Sequence, residues 1–278
     1  MKTMMMGLCA VVLASGCGGA GSVQFTTWGE AYIEDKIPVD SMETTGFVDG
    51  WELKYARFVV VLSEVTLAKK TGEAGPKQTE AKVVDLVKKG PTDLLSFADV
   101  PSGKWDLLSY AILPATSTAA SAGAIDAADV ERMRTGGLSM FVEGSATKGA
   151  TTKHFAWPLA LNTEYQECTN DDFGEGVTVP NGAQEVVQLT IHGDHFWYDD
   201  LQSPDAKLRF DAIASADANG DGEVTLDELA AVQLTALPLG QYGTGSAANV
   251  KTLKDFVFSL SRTVGHYRGE GHCHSHAR

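Results

Sequence analysis

Asp217-Ala-Asn219-Gly-Asp221-Gly222-Glu223-Val224-Thr225-Leu-Asp-Glu228 divides the chain in two. Before it the residues alternate as in strands. After it the apolar spacing is helical. Within it, oxygen-bearing side chains stand at positions 1, 3, 5 and 9, a Gly at 6, the apolar Val224 at 8 and a Glu at 12. A hard cation such as Ca²⁺ gathers about six to eight oxygens, and this spacing supplies them within one loop. Gly222 falls where the chain must turn sharply, with a φ that a Cβ would penalise.

The flanks agree with the loop. Leu208, Phe210, Ile213 and Ala214 suit a short helix with one apolar side, and Leu226, Leu229 and Val232 suit a second helix beyond it. Over residues 207–235 the chain resembles the EF-hand family. The resemblance implies one side-chain oxygen each from Asp217, Asn219 and Asp221, and the backbone carbonyl of Glu223. It further implies Thr225 acting through a water and both carboxylate oxygens of Glu228. EF-hands usually work in pairs, and the sequence holds no second loop of this kind. A lone site is expected to stabilise an element rather than to act as a sensor.

Outward towards the N-terminus, residues 51–201 read as β. Trp51 to Arg57 alternates, Phe58 to Leu62 is a buried-type run, and Thr71 to Pro76 is a turn. Val83 to Leu86, Gly103 to Ile112, Leu138 to Gly144 and His154 to Leu161 are further strands, with Pro158 suggesting an edge or a bulge. Val186-Val-Gln-Leu-Thr-Ile191 alternates most clearly. One helix interrupts this run, with Asp126 as N-cap and Gly136-Gly137 as its stop. The wording Val100-Pro-Ser-Gly-Lys-Trp-Asp-Leu-Leu-Ser-Tyr-Ala is similar to β-domains of exported bacterial lipoproteins of unknown role. Beyond the loop, Asn249 to Val264 reads as an amphipathic helix carrying Leu253, Phe256, Val257, Leu260 and Val264 on one side. The expected fold is α+β: an antiparallel β-sandwich-like domain over 51–201, then a small helical subdomain over 205–266.

The ends suggest a location. Residues 1–16 have one charge, Lys2, an apolar run and small residues before Cys17, as in a lipoprotein-type signal peptide whose Cys is acylated. An ordinary signal peptide cut between Gly18 and Ser22 is the other reading. Either places the chain outside the cytoplasm, the first on a membrane of the bacterial cell envelope, in the periplasm or at the outer surface. Residues 17–50 then read as a tether and N-terminal segment, with Gly18 to Ser22 flexible. A net charge of −14 suits cation binding and argues against a nucleic-acid partner.

Cys168 and Cys273 are the cysteines left outside the leader and the lipidation position, and in an oxidising compartment such a pair tends to bridge. Cys273 as a thiolate metal ligand is the alternative, because residues 267–278 form a His-rich tail. A second metal centre, for zinc or copper, would draw on His154, His192 and His195 and on His272, His274 and His276 of the tail. Against it stands a solvated tail, with strand-end histidines that only make turn hydrogen bonds. No nucleophile elbow, zinc-protease helix, phosphate loop or dinucleotide motif occurs, so an enzyme is not expected. Three functions stay open: a non-catalytic calcium-binding envelope lipoprotein, a periplasmic transition-metal binding or delivery protein, and a β-domain with a hydrolase or carbohydrate-binding role.

Overall fold

A computed structural model describes residues 19–278, so the leader and Cys17 lie outside the described residues. The chain runs through β1 (Ala20–Trp28), α1 (Glu30–Glu34), β2 (Glu52–Ala68), β3 (Ala74–Gln78), β4 (Lys82–Asp85), β5 (Thr92–Pro101), β6 (Gly103–Trp105) and β7 (Leu107–Ile112). Next come β8 (Ala120–Ser121), α2 (Ala127–Gly136), β9 (Met140–Lys148), β10 (Thr151–Leu159), β11 (Thr163–Asn170), β12 (Gly174–Glu175), β13 (Val177–Val179) and β14 (Gln184–Ile191). The last part holds α3 (Asp211–Ala214), α4 (Leu226–Ala231), α5 (Leu253–Leu260), β15 (Gly265–Tyr267) and β16 (His272–Ala277). The fold is β-rich α+β with open sheets.

The smaller sheet has four strands in the order β15-β14-β1-β5. The larger has ten, built on β10-β9-β2-β7-β11-β12, with β16 beside β11 and β3 and β4 beside β2. Most pairs are antiparallel. β1 and β14 run parallel, from Ser22 opposite Gln184 to Trp28 opposite Thr190, and β4 and β8 are parallel too, which departs from a wholly antiparallel architecture. The expected tether is also corrected. β1 begins at Ala20 and is held on both sides, so residues 20–22 are strand rather than spacer.

β2 is one strand of 17 residues. Its central run Val59–Val61 is buried on both faces, because α2 covers the outer one. Val59, Val61, Val83, Met133 and Phe141 form a small core there. The inner faces of both sheets share a single larger core with the helices. Its centre is Trp197, whose ring lies 5.3 Å from Phe155, 5.4 Å from Phe210 and 5.5 Å from Trp157. Trp197 Nε1 donates to Tyr55 Oη (2.8 Å), and Tyr55 Oη donates to the Gly193 carbonyl (2.6 Å). The turn after β14 is therefore fixed from inside.

α5 is shorter than its apolar spacing implies. Thr252 caps it through a capping box with Asp255, and Leu253, Phe256, Val257 and Leu260 are buried. It packs against α4, and Leu253 N donates to the Val232 carbonyl (3.0 Å). The C-terminal residues are not a loose tail. β16 pairs with β11 from Thr169 opposite His272 to Thr163 opposite Ala277, and Cys168 and Cys273 are disulfide-bonded.

Candidate functional site

The 217–228 loop lies on the free edge of β10. His154 N donates to the Gly222 carbonyl and Val224 N donates to the His154 carbonyl, both at 2.8 Å. Trp157 Nε1 donates to the Val224 carbonyl, also at 2.8 Å. The position-8 residue is thus clamped to a sheet edge, and Pro158 sits on the same edge strand, as its missing N–H requires. Gly220 and Gly222 adopt φ of +73° and +88°. That turn lets Gly220 N and Gly222 N donate to the two carboxylate oxygens of Asp217 (2.8 and 2.9 Å). Asp221 N donates to Asn219 Oδ1 and Glu223 N donates to Asp221 Oδ1, each at 2.8 Å.

Thr225 is the N-cap of α4. Glu228 N donates to Thr225 Oγ1 (3.2 Å), while Glu228 Oε2 accepts from Thr225 N and Oγ1, both at 2.9 Å. The other oxygen, Glu228 Oε1, is buried with no hydrogen-bond partner among the described residues. A buried acceptor left so costs on the order of 1–3 kcal/mol, more when charged. The Lys153 ammonium contacts Asp217 Oδ2, and this bond holds the Asp217 carboxyl below its usual range.

A second cluster forms at the far end of β14. His192 follows the strand, Asp194 and His195 lie in the 3-10 turn Asp194–Trp197, and His266 lies in β15. β15 pairs with β14, Thr190 opposite His266, so residues far apart in sequence meet. Gly265 permits the approach: a Cβ there would stand 2.5 Å from Tyr165 Cε1 and 2.6 Å from Tyr110 Oη. Tyr110 Oη donates to the His266 carbonyl (3.0 Å). The His266 ring lies 4.1 Å from that of His192, 4.8 Å from His195 and 5.3 Å from His272. Glu30, held at a left-handed φ of +57°, brings its carboxylate to 3.5 Å from His192 Nε2.

Burial pushes the His195 imidazole down to about 4 and His266 to about 2, so both are neutral at pH 7. Burial also raises the Glu30 carboxyl above its usual range, with Glu270 and Asp194 adding to it against the pull of His192.

No protein-family model, curated protein or solved structure matches the chain.

The structure gathers only part of the expected histidine set. His192 and His195 come together, their rings 5.3 Å apart, while the exposed His272 stands beside His266 at the mouth of the cleft. His154 does not join them: its backbone serves the 217–228 loop, at the edge of the larger sheet. His274 and His276 are exposed on β16, with His274 Nδ1 3.0 Å from Glu167. Cys273 is no thiolate, being tied to Cys168. His266, Glu30 and Glu270 do not stand out in the sequence. Only the β14–β15 pairing and the turn into α1 reveal them.

Proposed function

We propose that the protein is a non-catalytic calcium-binding component of the bacterial cell envelope. One Ca²⁺ in the 217–228 loop fastens an EF-hand-like helical unit to the edge of the β-structure. The observation that carries this reading is Glu228, whose Oε2 serves the helix cap while Oε1 is buried with no hydrogen-bond partner among the described residues, beside a loop of hard oxygens. A divalent cation would satisfy that oxygen and complete a set with Asp217, Asn219 and Asp221. The sheet edge at His154 and Val224 takes the place of a second loop, which fits a structural ion better than a sensor.

The test is calorimetric titration of chelator-treated protein with calcium, with a thermal melt beside it. One site that raises the melting temperature is expected, and an unchanged melt sinks the reading.

Lys153 competes for the site. Its ammonium neutralises Asp217, so an entering ion must share or displace it. Lys153→Met is therefore expected to tighten calcium binding several-fold, measured in the same titration. Weaker binding would show that Lys153 supports the loop instead.

The leader supports export, and a disulfide between β11 and β16 suits an oxidising compartment. With Cys17 acylated, β1 would begin three residues later, at Ala20, and the folded unit would sit against the membrane. Cys17→Ser is expected to move the protein from the membrane fraction to the soluble one, as read by fractionation. Unchanged fractionation would favour the ordinary signal peptide.

A further inference from the structure

We propose that the cleft at the end of β14 is a transition-metal site, in which His192, Asp194, His195 and His266 hold a zinc(II) or copper(II) ion. This site is separate from the 217–228 loop and does not depend on it. Three of the groups already face one another: the ligand atoms of His192, Asp194 and His195 all lie within 4.8 Å of each other. Ligands each about 2.1 Å from a tetrahedral ion stand roughly 3.4 Å apart, so side-chain rotation closes the difference.

The fourth group gives the independent observation. His266 is 6 % exposed, its ring stacks 4.1 Å from His192, and its Nδ1 has no hydrogen-bond partner among the described residues. Asp194 is 7 % exposed and its Oδ1 is orphaned in the same way. Two unpartnered, buried ligand atoms in one histidine cluster have a common answer in an ion. Imidazole nitrogens with one carboxylate select zinc or copper over the hard cation that suits the loop.

The surroundings orient the ligands. Thr263 Oγ1 donates to the Leu260 carbonyl (2.8 Å), so it can only accept from His195 Nδ1 (2.8 Å). His195 is thereby held in the Nδ1–H tautomer, and its Nε2 keeps the lone pair that a metal needs. Tyr198 Oη donates to Asp194 Oδ2 (2.9 Å) and leaves Oδ1 for the ion. Tyr110 fixes His266 through its carbonyl. On the open side, His195, His266, Glu270 and His272 line a cleft of about 330 Å³ through which an ion can enter.

The test uses the full, oxidised chain in excess calcium, which keeps the loop occupied. After equilibrium dialysis against copper(II) or zinc(II), one equivalent per chain is expected to remain. The copper(II) paramagnetic resonance spectrum is expected to show coupling to several imidazole nitrogens. His195→Gln and His266→Gln are each expected to weaken binding by about a hundredfold or more, while His274→Ala with His276→Ala leaves it unchanged. Metal-free protein after dialysis would overturn the proposal. So would a copper spectrum with oxygen coordination alone, or binding abolished by the His274/His276 change and kept in His195→Gln. The spectrum of the unaltered protein decides even if His266→Gln fails to fold.

Discussion

Glu228→Gln is expected to abolish the calcium-dependent rise in melting temperature while leaving the calcium-free protein close to the parent in stability. The two oxygens of this side chain have different duties. Oε2 accepts from Thr225 N and Oγ1 and so holds the first turn of α4. A glutamine carbonyl can take over that role, because a neutral amide oxygen caps a helix by the same geometry. What it cannot replace is the second, charged oxygen. Oε1 is buried with no hydrogen-bond partner among the described residues, and in a calcium-bound loop it would close the coordination shell. An ion at about a hundred times its dissociation constant adds roughly 2.7 kcal/mol. For a chain of this size that corresponds to about 5–10 °C in melting temperature. The parent should show this shift and the variant should not. A variant with the full calcium shift would place the ion elsewhere, and one already much less stable without calcium would make Glu228 a capping residue only.

The parts of the fold that sequence revealed are those whose local pattern equals their burial. β14 alternates because one face is covered, and α2 starts after Asp126 and stops at Gly137 in a left-handed turn. β2 changes its pattern along the strand for a physical reason. Its middle loses alternation where α2 adds a second core on the outer face. β1 was hidden for the opposite reason. Its Gly-rich start resembles a spacer, and its order depends on β14, more than a hundred and fifty residues later. β16 has no apolar alternation at all. His272, His274 and His276 share its exposed side, and what makes it a strand is β11 together with the disulfide.

The same contrast separates the two candidate sites. The 217–228 loop is contiguous, so the type and spacing of its oxygen-bearing residues can be read directly. The histidine cluster is assembled by topology. His192 and His195 are close in sequence, but His266 reaches them only through a three-residue strand paired to β14 and seated by Gly265 on two tyrosine rings. The Trp157 and Trp197 rings, 5.5 Å apart, join the two regions through the core, one bonded to Val224 and the other to Tyr55 beneath the histidine turn.

Removal of the Cys168–Cys273 bridge is the second large effect. The bonded residues are 105 apart in sequence. In the chain-entropy model, closing a loop of that length in the unfolded state is worth about 4–5 kcal/mol. Cys168→Ala with Cys273→Ala is therefore expected to lower the melting temperature by about 10–18 °C, with a matching fall in the denaturant midpoint. The effect reaches the histidine cleft, because Cys273 lies beside His272 at the start of β16 and lines the same opening. Without the bridge, β16 keeps only its ladder to β11, whose register already shifts between Gln166 and Thr169. Hydrogen exchange of the β16 amides should rise towards that of an open strand. The 217–228 loop sits on β10, at the other end of the larger sheet, so the calcium-dependent shift should persist in the double variant. A loss of less than about 1 kcal/mol, with β16 amides still protected, would mean that the strand ladder and the ion pairs of Arg278 with Glu164 and Glu64 hold this edge by themselves. Loss of the calcium shift together with the bridge would mean that both ends of the larger sheet unfold as one unit.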